Sequence, residues 1–274
     1  MTTELTAPDG TRLVVEVAGG GPPVLFVHGT GGGLATWADV GSRLVGHRVA
    51  HYARRNHAPS DVGPSPNSFA VEAADLRVVL GHLTDLSGHP VHVVGGSYGA
   101  SVALHAAAES AEGIASLALF EPPVLLVGGH LLPVLKQFQQ LCAAGQFDGA
   151  LDIFAREVAR IPAEVIAAAP PPESDPETSR RATTAVRADL EGMAADTADT
   201  ERWASINVPV LLMQGGQSWA PLPEGMDRLA DALPHAQRVY WPDQSHFAIA
   251  AAPARVAEAI QGFIDSADFA AARP

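Results

Sequence analysis

Polar and apolar positions alternate over residues 5–17 on either side of Pro8-Asp9-Gly10, the pattern of a β-hairpin closed by a glycine-containing turn. Short apolar runs follow at 24–27, 48–52, 91–94, 117–120, 210–213 and 238–241. They are mostly β-branched residues or Leu, bounded by Gly, Pro or Asp, as expected of strands buried on both faces of a parallel sheet. Between several of them the period becomes helical. Residues 68–86 place Val71, Ala74, Leu76, Val79, Leu80 and Leu83 mostly on one face, behind Ser68 as N-cap. Further helices are predicted at 100–108, 223–233 and 253–266. Strands alternating with helices predict an α/β protein with a mostly parallel sheet.

The alternation stops between Pro122 and Trp203. Only helices are predicted there, at 131–144, 148–161 and 177–195, with a Pro-rich joint at 170–176. An insertion of roughly eighty residues is too long for a simple crossover. It reads as a helical cap over the carboxyl edge of the sheet, where open α/β sheets bind ligands. The expected organisation is a core of residues 1–121 and 204–274 with a cap of 122–203.

Composition narrows the partners. The chain has 274 residues, 47% hydrophobic and 17% charged, enough to bury a sizeable core. Seventeen basic against thirty acidic residues leave a net charge of −13, which argues against nucleic acid or an anionic membrane as partner. One cysteine, Cys142, makes neither an internal disulfide nor a cysteine-based metal site. Residues 1–10 lack a basic and an apolar region, so no secretory leader is expected. Residues 86–108 carry no Asp, Glu, Lys or Arg, but Pro90, Gly95, Gly96 and Gly99 make them strand, turn and helix rather than a membrane span. The expectation is a cytoplasmic protein acting on a small molecule without metal or other cofactor; a homodimer is left open.

The chemistry is concentrated at Val91-His92-Val93-Val94-Gly95-Gly96-Ser97-Tyr98-Gly99-Ala100, a strand followed by G-x-S-x-G and a small-residue helix. A nucleophile at the tip of so sharp a turn sits in strained backbone, and the flanking glycines leave room where chains pass closely. The helix start behind it favours negative charge beside the attacked carbon. Ser97 is therefore the candidate nucleophile; the bland alternative is a capping Ser in a glycine-rich turn. A second strand ends in His28-Gly29-Thr30-Gly31-Gly32-Gly33, a loop whose amides could face an oxyanion. Thr30, with Gly31 as runner-up, and Tyr98 are the candidate donors. A phosphate loop is disfavoured, because no Lys follows at the required position. His28 reads as structural. His246, in the loop between the last strand and last helix, is the candidate base, with His51, His57 and His130 as weaker choices.

These segments resemble the α/β-hydrolase superfamily over residues 5–263. Tyr52-Ala53-Arg54-Arg55-Asn56-His57-Ala58-Pro59-Ser60 is similar to that family's Y-D-x-R-G-x-G-x-S segment, with Asn56 and Ala58 where glycines are usual. The resemblance implies an eight-stranded sheet flanked by helices, with the cap inserted after the sixth strand. It also implies an Asp in a G-x-x-D pattern after the strand at 210–213, and here Ser218 occupies that slot. Haloalkane dehalogenases and some lactone hydrolases take the acid instead from the end of the sixth strand. Glu121, 24 residues after Ser97, stands there. It is the candidate for fixing the tautomer of His246, ahead of Asp243 and of a structural role at Pro122-Pro123.

The expected activity is metal-free, carboxylic ester hydrolase chemistry, esterase- or lactonase-like, on a small, largely apolar substrate, through an acyl-enzyme on Ser97. Trp37, Trp219 and Phe247 lie in loops expected to border the pocket or to pack cap against core. Arg54 and Arg55 read as loop-binding residues rather than a substrate clamp. Two rivals stay open: a non-hydrolytic enzyme on this scaffold, such as a cyclase, dehydratase or lyase, and a ligand-binding protein with a degenerate triad.

Overall fold

The computed structural model describes residues 1–168, 175–233 and 235–271. Eight strands form one sheet: β1 (Thr2–Thr6), β2 (Arg12–Gly19), β3 (Pro23–Val27), β4 (Arg48–Ala53), β5 (Val91–Gly96), β6 (Ile114–Phe120), β7 (Val210–Gly215) and β8 (Gln237–Trp241). Their spatial order is β1-β2-β4-β3-β5-β6-β7-β8. The hairpin strand β2 pairs antiparallel with both β1 and β4, and all later pairs are parallel. The switch of direction from β3 to its two neighbours opens the crevice at the carboxyl ends of the central strands.

The inner strands are mostly apolar because both their faces are covered. Val24, Phe26, Val94, Ala118, Phe120, Leu211 and Met213 pack with Val256, Ile260, Phe263 and Ile264 of the last helix, α8 (Pro253–Ala271). Leu25, Val27, Val91, Val93, Leu117 and Leu119 face α1 (Phe69–Ser87) and α2 (Tyr98–Glu109). Helix α1 starts where its sequence indicates, with the Ser68 hydroxyl accepting from the Val71 amide at 3.2 Å.

From β6 to β7 the described residues are helical: α3 (Leu132–Ala143), α4 (Phe147–Ile153), a π-helical turn (Phe154–Val158), α5 (Ala163–Ala168) and α6 (Pro176–Ala195), with 3₁₀ turns before α3 and after α6. Residues 170–174 of the expected joint lie outside the described residues. The helix expected over 148–161 is interrupted. Its chain loosens into the π turn, Arg160 takes φ 53°, and Pro162 then starts a new segment. Helix α7 (Leu222–Ala232) precedes β8.

Candidate functional site

Strand β5 runs straight into the tightest turn of the sheet. Ser97 has φ 51° and ψ −122°, outside the regions open to L-residues without strain. The Ser97 amide donates to the Phe120 carbonyl at 2.8 Å, and helix α2 begins at the next residue. The turn is possible because Gly99 lies against the carbonyl oxygens of Val27 and His28, where a side chain would collide. A side chain on Gly29 would crowd the Gly96 carbonyl and the Ser97 Cβ, so the loop after β3 lies against the elbow. Thr30, in that loop, and Ser97 line one cavity. The Tyr98 amide belongs to the first turn of α2, whose N–H groups have no intrahelical acceptor.

Glu121 follows β6 with φ 41° and is fully buried. Its carboxylate is held from three directions. Oε1 accepts from the Gly215 amide at 2.8 Å and from the Ser218 hydroxyl at 2.7 Å. Oε2 lies 2.6 Å from His246 Nδ1 and 2.9 Å from the Ser218 hydroxyl. Ser218, the residue in the slot where the family carries Asp, thus makes a hydrogen-bonding bridge to the acid on the neighbouring strand. His246 also lines the cavity with Ser97 and Thr30. Asp243, by contrast, is exposed and paired with Arg255 at 2.6 Å. His51 stacks on Phe26, and His130 is exposed.

The cavity measures about 150 Å³. Thr30, Ser97 and His246 form its polar end. Pro123, Leu126, Phe154, Ile161, Trp219 and Phe247 supply most of the remaining wall, and among the described residues no Asp, Glu, Lys or Arg lines it. Trp37 does not border it. That side chain is buried beneath Gly96, packs on Phe26 and donates from Nε1 to the Val27 carbonyl at 3.3 Å.

Beside the loop after β3 lies a buried charge cluster. Arg54 Nε donates to the His28 carbonyl at 3.0 Å, and its amino groups bond Glu72 of α1 at 2.8 Å and both oxygens of Asp189 of α6 at 2.9 Å. All three side chains are essentially inaccessible. Burial works against the Arg54 charge, but Asp189 and Glu72 overcome it and hold its pKa well above the usual value. His28 accepts the Arg54 amide at Nε2 and pairs with the Gly29 carbonyl through Nδ1, at 3.2 and 2.9 Å. Burial, aided by Arg54, keeps this imidazole neutral. His57 sits 3.3 Å from Arg54 with its pKa pushed down, by burial and then by Arg54, to about 3. Arg55 is bound locally, to Asp75 at 2.6 Å and Asp9 at 2.7 Å. Asn56 occupies the position of a usual glycine and adopts φ 65°, a conformation Asn tolerates.

A sequence profile of the alpha/beta hydrolase fold matches residues 22–253, and the chain belongs to this family. It is 29% identical to an alpha/beta hydrolase from Sphaerobacter thermophilus DSM 20745, covering 96% of this chain and all of that one with a TM-score of 0.77. A thermophilic esterase from Thermogutta terrifontis has the same fold at 24% identity and TM-score 0.78, over 97% of this chain and 99% of the other. The enol-lactonase from Burkholderia xenovorans LB400 does so at 19% and 0.75, over 96% and 100%. The uncharacterized hydrolase YraK of Bacillus subtilis (strain 168) is 30% identical over 135 residues, 48% of this chain and 49% of that relative. Among the described residues no helix is long and apolar enough to cross a membrane.

Proposed function

We propose that this protein is a serine hydrolase that cleaves a small, largely apolar ester or lactone. The observation that carries this reading is the 2.6 Å contact between buried Glu121 and His246, in the same site as a serine on a strained elbow. Glu121 fixes the proton of His246 on Nδ1, leaving Nε2 free to accept the proton of Ser97. Ser97 Oγ then attacks the carbonyl carbon, and the amides of Thr30 and Tyr98 receive the oxyanion. Collapse expels the alcohol, which takes the proton back from His246, and an acyl-enzyme remains. Water, deprotonated by the same histidine, releases the acid.

Residues 122–203 act as the cap, bringing Phe154, Ile161 and Met193 over the core of 1–121 and 204–274. The absence of charged side chains among the described residues of the wall supports an uncharged substrate. Cytoplasmic residence suits the free thiol of Cys142. Intact mass after incubation with a fluorophosphonate tests the reading. One adduct is expected on the native chain, none on Ser97→Ala, and slowed labelling on Glu121→Gln. An unlabelled native chain would remove the hydrolase assignment.

A further inference from the structure

The wall that the insertion contributes to the cavity comes from its least regular stretch. The π turn at Phe154–Val158 and the left-handed Arg160 turn the chain so that Phe154, Ala159 and Ile161 face inward. One side chain of the core grips this stretch directly at the cavity: Trp219 donates from Nε1 to the Ala159 carbonyl at 2.8 Å. The same indole packs edge-on against His246 at 5.6 Å and tilted against Phe247 at 5.8 Å. Trp219 therefore spans the cavity from the candidate base to the insertion, and its far edge is the hydrogen bond to Ala159.

We infer that Trp219 is a specificity-determining residue that limits the acyl group to an uncharged chain or ring of about six carbons. The inference rests on the hydrolase reading above and adds the size, charge and cause of the limit. Size follows from volume: an apolar cavity of about 150 Å³ holds a benzene-sized guest. Charge follows from chemistry: a carboxylate entering this wall would lose its hydration and find no cation among the described residues to replace it. The cause is the Trp219–Ala159 link, because it holds the irregular stretch of the insertion down on the site.

The test compares kcat/KM over p-nitrophenyl acetate, butyrate, hexanoate, octanoate, benzoate and hemisuccinate. On an open apolar surface each buried methylene would raise the value about fourfold. A cavity of this size should reverse that trend beyond hexanoate, at about tenfold per methylene. Benzoate should be accepted, and hemisuccinate should fall about a hundredfold or more below butyrate. In Trp219→Ala the ratio of octanoate to butyrate should rise at least about tenfold. Trp219→Phe keeps an aromatic ring but loses the N–H and part of the bulk, and should move the same ratio part of the way. The ratio is the readout because misfolding lowers both substrates together. Fluorophosphonate labelling of Ser97 is done alongside. Labelling with rates that keep rising through octanoate, or an unmoved ratio in Trp219→Ala, would overturn the inference and leave the hydrolase reading standing. No labelling of the native chain would overturn both.

Discussion

Glu121→Gln replaces one carboxylate oxygen by an amide nitrogen at the centre of a hydrogen-bonded cluster, and the geometry dictates which end the nitrogen takes. Oε1 faces the Gly215 amide at 2.8 Å, a donor that cannot turn away. The amide oxygen of Gln must stay there, so the NH₂ group points at His246 Nδ1, 2.6 Å from the present Oε2. His246 must then accept at Nδ1 and carry its proton on Nε2. Nε2, the proposed acceptor of the Ser97 proton, becomes a donor and is unable to take it. Losing the correct tautomer in a Ser-His-acid system lowers turnover roughly 10⁴-fold, about 5 kcal/mol in the barrier. The fold should barely respond, because Gln fills the same volume and keeps the Gly215 bond, while the Ser218 hydroxyl can rotate to either end. A short p-nitrophenyl ester gives kcat/KM, and a urea titration gives stability. The expected outcome is a loss of about four decades in rate with under about 1 kcal/mol in stability. Asp243→Asn, which alters only an exposed pair with Arg255, should leave the rate within about twofold. A Glu121→Gln variant that keeps more than a tenth of native turnover would refute the assignment of the acid to β6.

Three further outcomes follow from the buried contacts. Ser218→Ala removes a donor shared by both carboxylate oxygens of Glu121 and should lower kcat/KM about tenfold, with Ser218→Thr recovering part of it if the bridge matters; equal rates in all three would exclude a positioning role. Arg54→Met strands Glu72 and Asp189 without a cation and should cost about 3–5 kcal/mol, whereas Asp189→Asn leaves Arg54 paired with Glu72 and should cost about 1–3 kcal/mol; urea midpoints that rank the other way would contradict the partner assignment. His57, with its folded pKa near 3, binds fewer protons in the native than in the unfolded state between that value and the ordinary 6.5. Its contribution is complete above pH 6.5 and is lost as the pH falls toward 3. In His57→Gln the fall of urea midpoint between pH 7 and 4 should therefore be shallower; a slope equal to that of the native chain would show that this imidazole is not held neutral.

The strands and the elbow were legible because their signals are local. An unbroken apolar run, a glycine on either side of Ser97 and a capping Ser68 each act within a few residues. Placing Glu121 needed more: the absence of Asp at position 218 and a resemblance that supplies an alternative strand. What the sequence could not reveal is that Ser218, in the slot of that Asp, bonds to Glu121. The bond from Ser218 to Glu121 joins positions 97 residues apart, and Arg54 meets Asp189 across 135. Residues 148–161 read as one helix, yet the chain breaks at Arg160, and Pro162 is a boundary signal there. Trp37 reads from the sequence as a loop residue that borders the pocket or packs cap against core. Its indole instead fills the space under Gly96, which lacks a side chain of its own.

The Arg54 cluster bears on how such enzymes diversify. Insertions after the sixth strand look like interchangeable modules, since both ends attach to the same sheet edge. Here the exchange would not be neutral. Arg54 is anchored in the core and touches the His28 carbonyl, yet one of its two carboxylate partners arrives on the inserted helix α6. A transplanted insertion without a carboxylate at the place of Asp189 would leave that guanidinium half-matched, directly behind the loop that carries Thr30. Chimeras should therefore lose rate before they lose fold, and restoring a single Asp or Glu on the donor helix should be the first correction to recover it.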